Sequence, residues 1–373
     1  MKKIAYITNA PPLSGIGKPT REIYSGIDRK RFDPDFFCID GLKNELSKNG
    51  EVFSSVSLLP KPFSAKPVSW WRLSKKLPKS GYDLWHITNQ TLSFIPREDF
   101  LLTVYDLIEL LDPQERFGGY MAKFLYRGIS KAKHIICISE YTKRMLQNTY
   151  GISNEKITVI PLGVSDNFVF NRDIKNTVGY REFLRQYEIP INAKIILYVG
   201  SDHPRKNLNG LAEIFAEVLK KVPNSFLLKV GEPGVTAGRE QFLKKLDELG
   251  LRKFVKFAGS ISDEKLQLAY SLADVFVFPS FYEGFGVPPL EAMACGCPVV
   301  CSNATSLPEV VGDAGVLLDP TDNDGFVESI IKILNNTGFS EELRSRGLER
   351  VKKFSWQDIV VKTEMVYDKM LVR

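Results

Sequence analysis

Short runs of apolar and β-branched residues recur along the chain, separated by segments of helical periodicity. KKIAYIT (2–8), YDLWHIT (82–88), FLLTVYD (100–106) and HIICIS (134–139) read as strands in the first part. KIILYVG (194–200), FLLKVG (226–231), FVKFAG (254–259), DVFVFP (274–279) and CPVVCS (297–302) do so in the second. Most are nearly continuous apolar runs, the pattern of strands covered on both faces. Between them lie amphipathic stretches such as NLNGLAEIFAEVLKKV (207–222). Strand–helix alternation of this kind predicts an α/β chain with parallel sheets wound by right-handed crossovers.

The alternation runs twice, with a break near VIPLGVSDNF (159–168), where Pro161, Gly163 and the polar stretch 171–177 suit a linker. Two doubly wound, Rossmann-like domains are therefore expected, at 1–165 and 166–354. The final segment, WQDIVVKTEMVYDKML, is amphipathic and reads as a helix. In open parallel sheets ligands bind beyond the carboxyl ends of the strands, so the strand-to-helix turns are the places to look for chemistry.

Composition adds limits. The 373 residues, 44% apolar and 25% charged, describe an ordinary globular chain with enough apolar surface for two cores. No run of about 18 apolar residues predicts a membrane span, and the opening MKKIAYIT suits a buried strand better than a signal peptide. A cytoplasmic location is expected. The five cysteines form no disulfide framework, and the cluster Cys295, Cys297 and Cys301 lacks a nearby histidine and is too small for a closed zinc site. Charge is uneven: residues 1–165 carry 24 Lys and Arg against 16 Asp and Glu, whereas the remainder carries 26 against 28. The basic half and the near-neutral half imply different partners. Within the basic half, WWRLSKKLPK (70–79) places Trp70, Leu73 and Leu77 on one helical face and Arg72, Lys75, Lys76 and Lys79 on the other. That pattern fits an interfacial helix drawn to anionic lipid as well as a helix packed on a sheet.

The turn chemistry concentrates in FYEGFGVPPLEAMACG (281–296). Gly284 and Gly286 let the main chain approach a ligand closely, and the Pro-Pro pair marks the first turn of a helix ending before Gly296. The N–H groups of Phe285, Gly286 and Val287, with that helix N-terminus, suit a phosphate. Glu283 and Glu291 would repel a phosphate if aimed at it, so they make sense as acceptors for hydroxyls on either side of it, a ribose and a sugar. Their other readings are a helix-dipole partner for Glu291 and a loop carboxylate held by amides for Glu283. A second turn, SDHPRKNLNG (201–210), supplies Arg205 and Lys206, which can neutralise a diphosphate and stabilise it as a leaving group. His203 lies in the same turn. The N-terminal turn holds Gly15 and Gly17, but Thr20 replaces the third glycine of a dinucleotide fingerprint. That turn is expected to face a sugar or acceptor, and a dinucleotide oxidoreductase is disfavoured. His86 is expected at the ligand end of its strand or in packing, and His134 in a structural role.

The stretch SFYEGFGVPPLEAMACGCPVVCSNATSLPEVVGDAGVLLDP (280–320) resembles glycosyltransferase family four, the retaining GT-B enzymes with a Glu-x7-Glu motif. The resemblance extends through LYVGS and PRKNL, ICISEYTKRML, KITVIPLGV and the SGIG loop, and so covers essentially the whole chain. It implies a GT-B fold, two Rossmann-like domains facing a central cleft, with residues 355–373 crossing back onto the first domain. In such an enzyme Glu283 contacts the donor sugar near its anomeric carbon, and Glu291 holds the ribose hydroxyls. Arg205 and Lys206 bind the diphosphate, and Ser201, Gly284, Phe285, Gly286 and Val287 line the phosphates and sugar. The turn Gly259, Ser260 and Ile261 meets the base. Gly15 and Gly17 lie on the donor, and His86, Tyr105 and Asp106 on the acceptor or sugar side. Two departures stand out. Ser201 replaces an arginine common after the glycine, leaving the clamp to Arg205 and Lys206. Tyr105 replaces a histidine, and a phenol cannot shuttle protons near neutral pH.

The expectation is thus a retaining hexosyltransferase of cell-surface polysaccharide synthesis. The second domain would bind the nucleotide-sugar and the first a glycan or lipid-linked acceptor. No metal and no cofactor are required beyond the donor itself, for which GDP-mannose is favoured by the resemblance to bacterial mannosyltransferases. The alternatives are a UDP-glucose or UDP-N-acetylhexosamine donor, a GT-B-like sugar-nucleotide epimerase, or a non-catalytic sugar-nucleotide-binding protein. Nucleic acid is not an expected partner; peripheral contact with the inner face of the plasma membrane through 70–79 is.

Overall fold

The computed structural model describes residues 1–9, 17–39, 56–59, 80–94, 99–111, 118–234 and 236–372; Gly15 and the segment 70–79 lie outside them. Two compact units result, Met1–Gly163 with Trp356–Arg373, and Val164–Ser355.

The first unit holds strands β1 (Lys2–Thr8), β2 (Phe32–Ile39), β3 (Val56–Leu59), β4 (Leu84–Ile87), β5 (Phe100–Val104), β6 (His134–Cys137) and β7 (Ile157–Val159). They form a parallel sheet in the order β3-β2-β1-β4-β5-β6-β7. The second holds β8 (Lys194–Val199), β9 (Ser225–Val230), β10 (Val255–Gly259), β11 (Val275–Phe278), β12 (Val299–Ser302) and β13 (Val316–Leu318). These too are parallel throughout, in the order β10-β9-β8-β11-β12-β13. Each order reverses once, between β1 and β4 and between β8 and β11, and these are the points where a doubly wound sheet opens a crevice for ligands. The continuous apolar strands are explained by helices on both faces: Ile4 to Ile7 and Val275 to Phe278 are wholly buried.

The helix Trp356–Leu371 belongs to the first unit. Its Tyr367 is buried against Phe32 and Tyr6, and Glu364 accepts from the Asp28 amide and pairs with Arg31 at 2.6 Å.

His86 corrects an expectation here. It does not present itself at the ligand end of the sheet but lies inside the unit, 1% exposed, in mid-β4. Its Nδ1 is 2.7 Å from the Tyr367 hydroxyl, its Nε2 is 2.8 Å from Thr103 Oγ1, and Tyr367 meets the Tyr6 hydroxyl at 2.5 Å. With both nitrogens engaged by neutral groups, His86 is a core hydrogen-bonding residue that joins the terminal helix to β1, β4 and β5.

Burial pushes its pKa down from 6.5 to about 3. The neutral ring is favoured by folding, so the unfolded chain binds the extra proton between those values. Stability is therefore complete above pH 6.5 and falls as pH drops towards 3, by up to ~5 kcal/mol. Urea unfolding at pH 7 and pH 5 measures this. His86→Gln, which keeps a hydrogen-bonding side chain without the titration, is expected to flatten the pH dependence.

Candidate active site

The switch point of the second sheet brings together two turns far apart in sequence. After β8 the chain makes a short turn, Pro204–Lys206, and Asn207 adopts a left-handed conformation (φ 55°) from which its side chain caps the helix Leu208–Lys221. This geometry points the turn at the loop after β11. The Phe281 amide donates to the Arg205 carbonyl at 2.8 Å, and Arg205 Nη1 donates to the Tyr282 carbonyl at 2.9 Å. Lys206 Nζ then reaches Glu283 Oε1 at 2.5 Å, with Arg205 Nη1 3.5 Å from Oε2. Lys206 also lies 5.0 Å from the Phe278 ring centroid. Glu283 and Lys206 are both buried, 7% exposed. Burial alone would raise the Glu283 carboxyl, but the two cations outweigh it and hold the pKa below its ordinary value. Two cations around one carboxylate leave the pocket a surplus of positive charge, suited to an anion.

The Glu283 loop is braced from the other side. Its amide donates to Thr305 Oγ1 at 3.0 Å, and Ser306 Oγ lies 2.8 Å from the carbonyls of Glu283 and Phe285. Gly286 has φ 122°, a backbone conformation that favours glycine, and a Cβ there would also press on Leu307 Cδ2 at 2.7 Å. The helix Val287–Ala294 begins at once, with proline in its first turn. The opening N–H groups of such a helix have no partner within it, and they carry the positive end of its dipole. Phe285 itself is buried against Phe354, so only its backbone faces the turn's chemistry. Glu291 accepts from the Tyr270 hydroxyl at 2.9 Å and is half-buried. Ser201, Gly259 and Ile261 are half-buried and Ser260 is exposed at the ends of the neighbouring strands, and the Ser260 amide donates to Glu232 at 3.0 Å.

In the first unit the switch point carries polar groups. Gly17 opens the helix Gly17–Gly26 and is buried. Tyr105, at the end of β5, is buried, with its hydroxyl hydrogen-bonded to Thr20 and its amide donating to Gln90 Oε1 at 3.2 Å. Burial drives its phenol further up, which removes proton transfer at neutral pH. Asp106 accepts from the Ile108 amide at 3.0 Å. Asn9 Nδ2 donates to Thr91 Oγ1, Asn89 Nδ2 to Asn9 Oδ1 and the Thr91 amide to Asn89 Oδ1, each at 3.0 Å.

Thr305, Ser306 and Tyr270 were not among the residues expected at the site: the first two sit in the SNATSLPE stretch after β12, and Tyr270 in the helix Asp263–Leu272, and only the fold brings them to Glu283 and Glu291. His203 is buried, and His134 bonds Thr158 Oγ1 at 2.8 Å, a structural position. Cys137, Cys295, Cys297 and Cys301 are buried free thiols, and burial raises the last three. Among the described residues no group of His, Cys, Asp and Glu is arranged to hold a metal, and Asp322 caps the helix Asn323–Asn335.

Two family models match the chain: Glycosyl transferases group 1 over residues 180–350 and Glycosyltransferase Family 4 over residues 13–168. The chain belongs to glycosyltransferase family four. This family member is 34% identical over 256 residues to O-antigen chain mannosyltransferase B of Escherichia coli, a match covering 68% of this chain and 65% of that protein. It is 30% identical over 285 residues to the serotype-specific mannosyltransferase WbdA of E. coli, covering 73% of this chain and 34% of that one. The chain thus spans less than two thirds of the length of these curated relatives. Among solved structures, Anabaena HepE in complex with UDP and glucose superposes with a TM-score of 0.80 at 19% identity, over 99% of this chain and 100% of that one. The family-four chain therefore has the GT-B fold.

Proposed function

We propose that this chain is a hexosyltransferase that moves mannose from GDP-mannose to a glycan or lipid-linked acceptor in cell-surface polysaccharide synthesis, with retention of anomeric configuration. One observation carries the reading: Lys206 and Arg205 converge on Glu283 at the switch point of the second sheet, just ahead of the helix that starts at Val287. The mannose preference draws on the mannosyltransferase relatives.

In this reading the diphosphate takes Lys206 and Arg205 as partners, and the N–H groups of Phe285, Gly286 and Val287 approach its oxygens. Glu291 accepts from the ribose hydroxyls, and the turn at Gly259, Ser260 and Ile261 meets the base. Glu283 faces the sugar hydroxyls near the anomeric carbon. The bond from that carbon to the terminal phosphate oxygen breaks as an acceptor hydroxyl attacks the same face. The acceptor's proton passes to the departing phosphate oxygen, and Tyr105 takes no part in proton transfer. The positive charge that stabilises the leaving diphosphate is supplied by Arg205, Lys206 and the helix, so no metal or cofactor is invoked. The first unit, through Tyr105 and Asp106, receives the acceptor. Its basic excess supports contact with an anionic membrane surface; no helix among the described residues is long and apolar enough to cross one.

The test is incubation with GDP-mannose, UDP-glucose or UDP-N-acetylglucosamine and mannosylated acceptors, following nucleotide release and the anomeric proton of the product. GDP release that requires acceptor, with the donor's anomeric configuration kept, is expected. Activity with a UDP-sugar alone would overturn the mannose assignment. A changed sugar formed without acceptor would make the protein an epimerase, and an inverted linkage would remove the retaining mechanism.

A further inference from the structure

Asp202 stands in the turn that carries Arg205 and Lys206, and it is 1% exposed. Its carboxylate meets two cations: Lys229 Nζ contacts Oδ1, and Arg239 Nη1 lies 3.0 Å from Oδ2. The Lys229 side chain is 0% exposed, in a strand position paired with Tyr198 of β8 and Phe257 of β10. A buried lysine in a core strand carries a heavy desolvation cost that an apolar residue would avoid, so its contacts must be sought for its purpose. They all lead to the ligand ends of the strands. Nζ also donates to the Gly231 carbonyl at 2.7 Å, tying the loop after β9 to the loop after β8. The Asp202 amide donates to the Pro233 carbonyl at 3.1 Å, and the Gly231 amide to the Gly259 carbonyl at 2.8 Å. Arg239 is held in turn with its guanidinium 4.2 Å from the Phe257 ring centroid. The helix that carries Arg239 rests on the same turn: a Cβ at Gly238 would lie 1.7 Å from the Asp202 carbonyl oxygen.

We propose that Asp202, Lys229 and Arg239 form a positioning cluster that fixes the diphosphate-binding turn, acting through Arg205 and Lys206 without touching substrate. The inference rests on the reading of the site given above. Its logic is geometric. Lys206 meets Glu283 at 2.5 Å only if the turn after β8 stays in place, and Asp202 is the residue of that turn pinned by side chains from both β9 and the helix that follows β9. The charge balance agrees. One carboxylate between two cations adds a net positive charge beside an anion site, so the pin does not repel the ligand it serves.

The experiment compares binding of GDP, GMP, UDP and UMP by calorimetry in wild type, in Lys229→Met and in the double variant Lys229→Met/Asp202→Leu, alongside thermal unfolding. Lys229→Met should weaken diphosphate binding about tenfold or more, as expected for a displaced binding turn, while monophosphate binding changes far less. The double variant removes the two fully buried charges, leaving the partly exposed Arg239 on the Phe257 ring, and should regain thermal stability without regaining diphosphate affinity. Recovery of affinity together with stability would show a purely structural ion pair and overturn the proposal, as would equal losses for diphosphate and monophosphate. Should Lys229→Met fail to fold, Arg239→Gln, on a partly exposed side chain, is expected to show the same selective loss, and unchanged diphosphate affinity there would overturn it equally. Wild type that binds no nucleoside diphosphate at all would instead sink the site assignment on which this rests.

Discussion

Replacing Glu283 by Gln is expected to cut turnover by about 10²–10³-fold while tightening the binding of free GDP. The two effects have one cause. Glu283 engages Lys206 at 2.5 Å and Arg205 at 3.5 Å. A diphosphate must compete for those same cations. An amide of the same shape releases them to the phosphate, so nucleotide affinity rises. On the proposed function it also removes the negative charge next to the reacting carbon, and preorganised electrostatic groups are worth about 10²–10³ in rate. Gln still accepts a hydrogen bond from Lys206, and its backbone remains braced by Thr305 and Ser306, so folding should persist. Steady-state kinetics with calorimetric GDP titration measure both sides. Turnover within a factor of about three of wild type, or weakened GDP binding in a folded variant, would remove Glu283 from the centre of the site.

The second large effect is expected from Lys206→Ala. A charge-assisted hydrogen bond in a buried site is worth about 1.5–3 kcal/mol, so diphosphate affinity should fall by roughly 10–150-fold. Guanosine and GMP affinity should be nearly unchanged, because the proposed function assigns the base and ribose to the turn at Gly259, Ser260 and Ile261 and to Glu291. The variant also leaves Glu283 buried with Arg205 alone, a loss on the order of 3 kcal/mol that lowers the thermal midpoint. Saturating GDP should restore little of it. Lys206→Arg, which keeps the charge, separates the two consequences: it should recover more stability than affinity, since a guanidinium does not fit the space of an ammonium. Equal weakening of guanosine and GDP by Lys206→Ala would argue that the lysine supports the fold and not the phosphate.

Periodicity made the architecture legible. Apolar runs of four to seven residues, spaced by amphipathic stretches, require parallel strands covered by helices, and that reading needs no knowledge of which strand lies beside which. The motifs were legible for a related reason. A strand end, two glycines and a Pro-Pro pair set backbone geometry locally, so Glu283 and the helix start at Val287 follow from neighbours in sequence. Arg205 and Lys206 could be placed in a turn, although nothing local said what they face.

Other features depend on partners far along the chain. His86 sits in a strand whose pattern is indifferent to whether its ring meets a ligand or a tyrosine. Only Tyr367, 281 residues away, decided that it is core. Lys229 reads as an interruption in an apolar strand until Asp202 and Arg239 are seen beside it. Thr305 and Ser306 brace a loop that precedes them by a whole strand. The sequence by itself determined the elements, the doubly wound class and the residue types at each turn, because these follow from contacts within a few residues. The tertiary structure alone decided which charges pair and which polar groups are buried. Those outcomes depend on strand order, and the energy of a buried ion is set by whatever the fold places next to it.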